Sequence, residues 1–361
     1  MKTLLFTLEY PPFHGGVANY YGNVSKYWPI EEKLAVLDNS HNELLSTEKI
    51  LNWLPSISAL NRCLEKDKID YLLVGQILPL GTVAYILSFF KKINYAVFLH
   101  GMDFALALRT PRKRFLSKLI LKKANKIICA NAYVKDKLFE FIPEIEERTV
   151  VVNPGIEGGV PNISPDDMRN IKDTYHLEGK KVLFSLGRLV KRKGVDKVIE
   201  TLISMPEEET ADLVYFIAGV GPREEYLKSL VPLRFAKKII FLGSLSDYDK
   251  WAWLKTCNIF IMPSRDIEGD FEGFGIVYLE ANLCAKPVIA GNSGGVKDAV
   301  VDGVSGLLVD PENTEEIAKA INKLKNDQAL CDKLGEQGRD RAIRDFSWEK
   351  QIASLCNFIK K

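Results

Sequence analysis

Eleven short apolar runs set the limits on what this 361-residue chain can become: Leu4–Leu8, Tyr71–Val74, Ala96–Leu99, Ile127–Cys129, Val150–Val152, Val182–Leu186, Leu213–Ala218, Ile239–Leu242, Ile259–Met262, Val288–Ala290 and Leu307–Val309. They do not alternate apolar with polar residues, the pattern of strands buried on both faces of a parallel sheet. Helical-looking segments separate them, and strand–helix alternation builds right-handed βαβ units and doubly wound sheets. Eleven such strands overfill one compact sheet and suit two, as the chain length does. Pro154, Gly155, Gly158, Gly159, Pro161 and Pro165 cluster before a fresh strand at Val182. The expected domains are therefore 1–157, with the closing helix 346–361 crossing back to it, and 158–345. Both halves read as Rossmann-like α/β domains facing across a cleft. In open α/β sheets ligands sit at the carboxyl ends of the strands, so the residues just after each run carry the functional question.

Composition narrows the class. Apolar residues make up 47% and charged residues 27%, the balance of a globular domain. A net charge of +2 gives no support to a nucleic-acid partner. Six cysteines are scattered without a CxxC pair, mostly inside apolar runs, which suits a reducing, cytoplasmic setting. Only six mostly apolar residues separate Lys2 from Glu9, too few for a secretory leader. The uncharged stretch Tyr71–Phe90 has the length of a membrane span, but Gly75, Gln76, Pro79 and Gly81 interrupt it. It is expected to be a buried strand, a loop and a buried helix over about 81–90.

Several strand ends carry chemistry. Gly15-Gly16 precedes a helix opening near Val17, and paired glycines before a helix N-terminus let backbone approach a phosphate. His100-Gly101-Met102-Asp103 follows a buried strand. Gly187-Arg188 and Lys193-Gly194 place two cations before a helix opening near Val195, a pyrophosphate clamp able to stabilise a departing nucleoside diphosphate in place of a metal ion. Lys191 and Arg192 read as solvated. Gly219-Val-Gly221-Pro222 lacks the third glycine and the later acid of a dinucleotide fingerprint, and reads as a turn near a nucleotide. The strongest signal is Glu272-Gly-Phe274-Gly275-Ile276-Val277-Tyr-Leu-Glu280, a glycine loop opening a helix over 276–284. Its free amides can hold a phosphate or sugar hydroxyls, and its two carboxylates can address two parts of one extended ligand.

In order and spacing these motifs resemble family 4 of the retaining GT-B glycosyltransferases over nearly the whole chain. The match continues through Asn153-Pro-Gly-Ile, Phe241-Leu-Gly, Pro287-Val-Ile-Ala, Gly294-Gly295, Gly303-x-x-Gly306 and Phe346-Ser-Trp348. The resemblance implies roles. Gly15 and Gly16 would approach the diphosphate, which Arg188 and Lys193 would bind beside Gly187 and Gly219. Glu272 would hold donor-sugar hydroxyls with the backbone of Phe274, Gly275, Ile276 and Val277, and Glu280 would hold ribose. His100 would contact the donor sugar. No metal or other cofactor is implied; the donor is a nucleotide-diphosphate sugar, with GDP-mannose favoured by the stretch 264–275. Asn153-Pro154-Gly155 departs from the adjacent Asn-Gly common in relatives, and Cys129-Ala-Asn131 from a common Ser.

No carboxylate stands out as a covalent nucleophile, so two-carboxylate hydrolase logic does not transfer. The resemblance implies front-face transfer to a glycan or lipid-linked acceptor. Arg109–Lys126 holds eight basic and no acidic residues, with Phe115, Leu116, Leu119 and Ile120 at helical spacing, the composition of a helix that rests on an anionic membrane surface. That would make the protein cytoplasmic and peripheral. Three alternatives remain at this stage: a GT-B nucleotide-sugar epimerase, a silent nucleotide-sugar-binding partner in a glycan assembly complex, and, least favoured, an oxidoreductase.

Overall fold

The computed structural model describes residues 1–13, 15–46, 51–157 and 159–361; Gly158, part of the expected linker, and His14 lie outside the described residues. The chain forms two compact units, Met1–Pro154 with Trp348–Lys361, and Gly155–Ser347. The division falls a few residues from the boundaries expected at 157 and 346. Ile156 explains the shift: it pairs with Ser347 in a parallel bridge and its N–H donates to the Phe346 carbonyl at 2.7 Å, which ties both strands of the connection into the second unit.

The first unit holds six parallel strands, β1 (Lys2–Phe6), β2 (Lys33–Leu37), β3 (Tyr71–Val74), β4 (Asn94–Leu99), β5 (Lys126–Cys129) and β6 (Thr149–Val151), in the order β2-β1-β3-β4-β5-β6. The second holds β7 (Lys181–Leu186), β8 (Leu213–Ala218), β9 (Ile239–Gly243), β10 (Ile259–Met262), β11 (Val288–Gly291) and β12 (Gly306–Val309), in the order β12-β11-β10-β7-β8-β9. Each expected run is a strand. β2 was not expected, although Leu34-Ala-Val-Leu37 is an unbroken apolar run; it is an edge strand with half-exposed residues, behind Glu31 and Glu32. Tyr71–Phe90 is strand, loop and the helix Leu80–Phe90. Among the described residues no helix is long and apolar enough to cross a membrane.

Helices cover both faces of each sheet. In the first unit the closing helix Trp348–Lys360 buries Trp348, Ile352, Leu355, Cys356 and Ile359 against the sheet, beside Tyr20 and Tyr21 of helix Gly16–Lys26. In the second, Trp253 of helix Asp247–Thr256 packs at 4.5 Å on Phe216, and Ser246 caps that helix by accepting from the Asp249 N–H. Glu207–Thr210 form a turn of helix in which Glu209 accepts from the Asn322 amide at 2.5 Å.

Candidate functional site

In the second unit the C-terminal end of β7 runs into Gly187, Arg188 and a short turn, Lys191–Lys193, before helix Val195–Ser204. The backbone here is packed too closely for side chains. A Cβ on Gly194 (φ +72°) would lie 2.1 Å from the Pro263 carbonyl, and one on Gly219 (φ +124°) would lie 2.0 Å from the Gly187 carbonyl. Glycine is the residue that permits both the approach and the dihedral. Gly187, Lys193, Val195 and Ala218 line one shallow recess with Met262. Lys193 Nζ sits 2.5 Å from Glu272 Oε2, both side chains about 12% exposed. Arg188 is exposed, and its side chain forms no hydrogen bond or ion pair among the described residues. Cation, carboxylate and free guanidinium thus share one strand end.

Glu272 precedes Gly275, the N-cap of helix Ile276–Leu283, where the N–H groups of Ile276 and Val277 stand in the first turn and have no intrahelical acceptor. Phe274 is turned inward against Phe346, with centroids 5.5 Å apart, so its ring is taken up in packing. Glu280, on the same helix, accepts from Lys250 Nζ at 2.8 Å. Burial works against the Lys250 charge, but Glu280 and Asp247 outweigh it and hold that ammonium above its ordinary value. The half-buried Glu280 carboxylate therefore already has a partner within the chain.

In the first unit, β1, β3 and β4 are neighbours, so Glu9, Gly75 and His100 gather at one end of the sheet. Gly15, the N-cap of helix Gly16–Lys26, lies near Glu9: a Cβ there would stand 4.0 Å from Glu9 Oε2, and one on Gly16 would meet nothing. His100 Nε2 is 2.7 Å from the Tyr21 hydroxyl, which donates to the Gly75 carbonyl at 2.5 Å. Tyr20, Tyr21 and Phe98 enclose the imidazole, and burial lowers its pKa to about 4. Asp103 Oδ1 accepts from the N–H groups of His100 and Gly101 at 2.9 and 3.0 Å. Burial raises Asp103 to about 6, against the pull of those backbone donors. Glu9 is also raised by burial.

Comparison with known proteins decides the family. Residues 15–157 match the model "Glycosyltransferase Family 4" and residues 167–341 match "Glycosyl transferases group 1". The chain belongs to family 4 of the GT-B glycosyltransferases. It is 26% identical to an uncharacterized glycosyltransferase of Methanocaldococcus jannaschii, over 98% of this chain and 97% of that protein. It is likewise 26% identical to a Corynebacterium glutamicum GDP-mannose-dependent monoacylated alpha-(1-6)-phosphatidylinositol monomannoside mannosyltransferase, over 99% and 98%. Among solved structures, HepE of Anabaena in complex with UDP superposes with a TM-score of 0.79 at 20% identity over the whole of both chains, a likeness of fold.

Of the residues that this glycosyltransferase was expected to use, Gly187, Lys193, Gly219 and Glu272 meet around the β7 end, and Glu280 stands farther along its helix. Gly15, Gly16 and His100 lie at strand ends of the first unit. Three features escaped sequence reading. Arg192 is not merely solvated: it pairs with Asp270 at 3.2 Å. Arg265, 3% exposed, donates to the Lys191 carbonyl (3.1 Å), to Asp196 (2.6 Å) and to Glu312, and its own N–H donates to the Arg192 carbonyl (2.8 Å), so it holds the Lys193 turn from beneath. Asp196 in the first turn of the following helix was the one readable hint of such a cation. Tyr21 is the third.

Proposed function

We propose that this glycosyltransferase is a retaining hexosyltransferase that moves mannose from GDP-mannose to a glycan or lipid-linked acceptor without a metal ion. The observation that carries the reading is the Lys193–Glu272 pair beside Gly187 and exposed Arg188 at the end of β7. Arg188 and Lys193 supply the positive charge that a leaving diphosphate requires, the part a metal ion plays elsewhere. Glu272 turns to the sugar hydroxyls once the diphosphate takes Lys193, and the amides of Ile276 and Val277 assist. Glu280 binds ribose by sharing or releasing Lys250. From the first unit, Gly15 and Gly16 leave backbone open to the diphosphate, and His100 contacts the donor sugar. The bond from the anomeric carbon to the phosphate oxygen breaks with its electron pair leaving on the nucleoside diphosphate. The acceptor oxygen attacks the same face, and its proton passes to a released phosphate oxygen. The mannosyltransferase relatives support the donor.

The acceptor end of the reading rests on charge. Helix Pro111–Lys123 exposes Arg112, Lys113, Arg114, Lys118, Lys122 and Lys123. Phe115 stands 67% exposed among these cations. Phe89 and Phe90 end the neighbouring helix Leu80–Phe90, and Met102 and Leu106 are exposed on the adjoining helix Met102–Leu108. Cations interleaved with exposed apolar side chains fit an anionic lipid surface at the cytoplasmic face of a membrane.

The test is transfer from a panel of nucleotide sugars in EDTA, with NMR of the product. Product formed from GDP-mannose in the anomeric configuration of the donor is expected; an inverted product, or activity only after a divalent cation is restored, overturns the reading. Sedimentation with anionic vesicles at low salt tests the surface, and loss of binding in a triple variant K113E/R114E/K118E is the expected result.

A further inference from the structure

Four facts about the His100 corner combine into a statement about where one proton sits. The Tyr21 side chain is fully buried, and its hydroxyl lies 2.5 Å from the Gly75 carbonyl oxygen. That carbonyl is buried and can only accept. A phenol has one proton to give, and leaving a buried carbonyl unpaired costs about 1–3 kcal/mol. The Tyr21 proton therefore points at Gly75, and the 2.7 Å contact between Tyr21 and His100 Nε2 requires the proton on the imidazole side. The second ring nitrogen, Nδ1, has no hydrogen bond among the described residues.

We propose that Tyr21 is a positioning residue that fixes His100 as its Nε2–H tautomer and so reserves the Nδ1 lone pair to accept a hydrogen bond from a sugar hydroxyl. The inference rests on the reading that His100 contacts the donor sugar. It adds a direction to that contact: His100 accepts a hydrogen bond from the sugar and does not donate to the diphosphate. A neutral ring is needed for this, and the surroundings keep it neutral. Tyr20 and Tyr21 meet it edge-on at 5.0 and 5.2 Å, and Phe98 stacks on it at 6.1 Å. The titratable groups packed around this corner are Tyr20 and Tyr21 from helix Gly16–Lys26, Glu9 after β1, Asp103 from helix Met102–Leu108 and Cys129 on β5. Tyr20 is pinned by donating to the Val152 carbonyl, and Asp103 spends Oδ1 on the backbone N–H groups of His100 and Gly101. Burial also holds the Tyr21 phenol well above its ordinary pKa, so it keeps the proton that Gly75 uses.

The experiment is a long-range 1H–15N correlation of imidazole-labelled full-length protein without ligand, with the His100 signals assigned by their loss in H100A. At pH 7, Nε2 should appear as a protonated, pyrrole-type nitrogen and Nδ1 as an unprotonated, pyridine-type one, and acidification to pH 6 should change neither. An Nδ1–H tautomer, or a charged ring at pH 7, overturns the proposal without touching the donor reading. In Y21F, which keeps the ring packing, the His100 signals should shift toward mixed tautomers. kcat should fall about fivefold, the worth of one ordinary hydrogen bond, with KM little changed. Unaltered His100 signals in a folded Y21F overturn the positioning role. Full transfer activity in H100A overturns the contact on which both readings stand, and leaves the tautomer measurement intact to tell the two failures apart.

Discussion

The two units prepare their strand ends by opposite means. At the end of β4 the first unit removes charge: His100 is held neutral inside an aromatic enclosure, and a chain of two hydrogen bonds fixes its orientation. At the end of β7 the second unit concentrates charge, with Lys193 on Glu272, Arg192 on Asp270 and Arg188 exposed to solvent. A leaving diphosphate needs fixed positive charge, and in the ligand-free protein that charge must be satisfied by something a ligand can displace. A sugar hydroxyl needs a hydrogen-bond partner of defined direction, which a freely titrating side chain does not provide. The difference is one between charges waiting for a ligand and a dipole set in advance.

Removing the support beneath the charged end should have the largest effect. R265A leaves Asp196 buried without its cation and frees the Lys191–Lys193 turn. Breaking a buried pair by removing one partner costs about 3–5 kcal/mol, so calorimetry should show a large drop in the melting of the second unit. R192A removes a pair that solvent already reaches, and should cost no more than about 1 kcal/mol. Equal losses in the two variants would show that the turn is not hung on Arg265. Next in size is K193A. On the proposed reading it removes a diphosphate ligand and leaves Glu272 facing the incoming anion, and kcat/KM should fall about 10²–10³-fold, the range for loss of one preorganised donor. A loss in KM alone would mean that Lys193 binds donor and transition state equally.

How far the sequence carried these conclusions depended on the kind of signal. Unbroken apolar runs announced eleven of the twelve strands, and the run Leu34–Leu37 of the edge strand β2 carried the same signal, so the whole of both sheets was legible. Gly194 and Gly219 were readable because a backbone packed against the Pro263 and Gly187 carbonyls excludes every other residue. Lys193 and Glu272 were readable as strand-end residues, whereas their pairing across 79 positions was not, since spacing says nothing about which loops meet. Arg265 was hidden for the same reason: its partners lie 69 and 47 positions away. Tyr21 was hidden differently. In a helix that packs on a sheet, a tyrosine reads as core, and nothing in the sequence tells that its hydroxyl lies under a histidine from another strand.

A smaller effect separates binding from chemistry at the charged end. E272Q keeps the shape of the side chain and removes its charge, so Lys193 no longer has to leave a carboxylate when a diphosphate arrives. The amide oxygen of the variant can still accept from Lys193, so what is relieved is the difference between a charged and a neutral acceptor, about 1 kcal/mol. Free nucleoside diphosphate should then bind about fivefold more tightly in isothermal titration, while transfer falls because the sugar hydroxyls lose a charged acceptor. Weaker diphosphate binding in E272Q would mean that Glu272 orients Lys193 instead of competing for it.

At the neutral end a pH-dependent effect follows from Asp103, whose pKa burial raises from an ordinary 3.8 to about 6. Between those two values the folded protein holds a proton that the unfolded chain has already released. Stability therefore falls as the pH rises through that window and stays lower above it. The D103N variant has no such charge to bury, and its side-chain oxygen can still accept from the His100 and Gly101 N–H groups. Asp103 Oδ2, buried without a hydrogen-bond partner among the described residues, gains nothing from ionisation to offset that cost. D103N should accordingly melt close to the parent protein at pH 4 and above it at pH 7, by a margin on the order of 2–3 kcal/mol. A margin that stayed constant with pH, or reversed, would show that the ionised carboxylate is held by interactions stronger than the two backbone donors. The neutral end would then be charged after all, and the contrast between the two units would lose its first half.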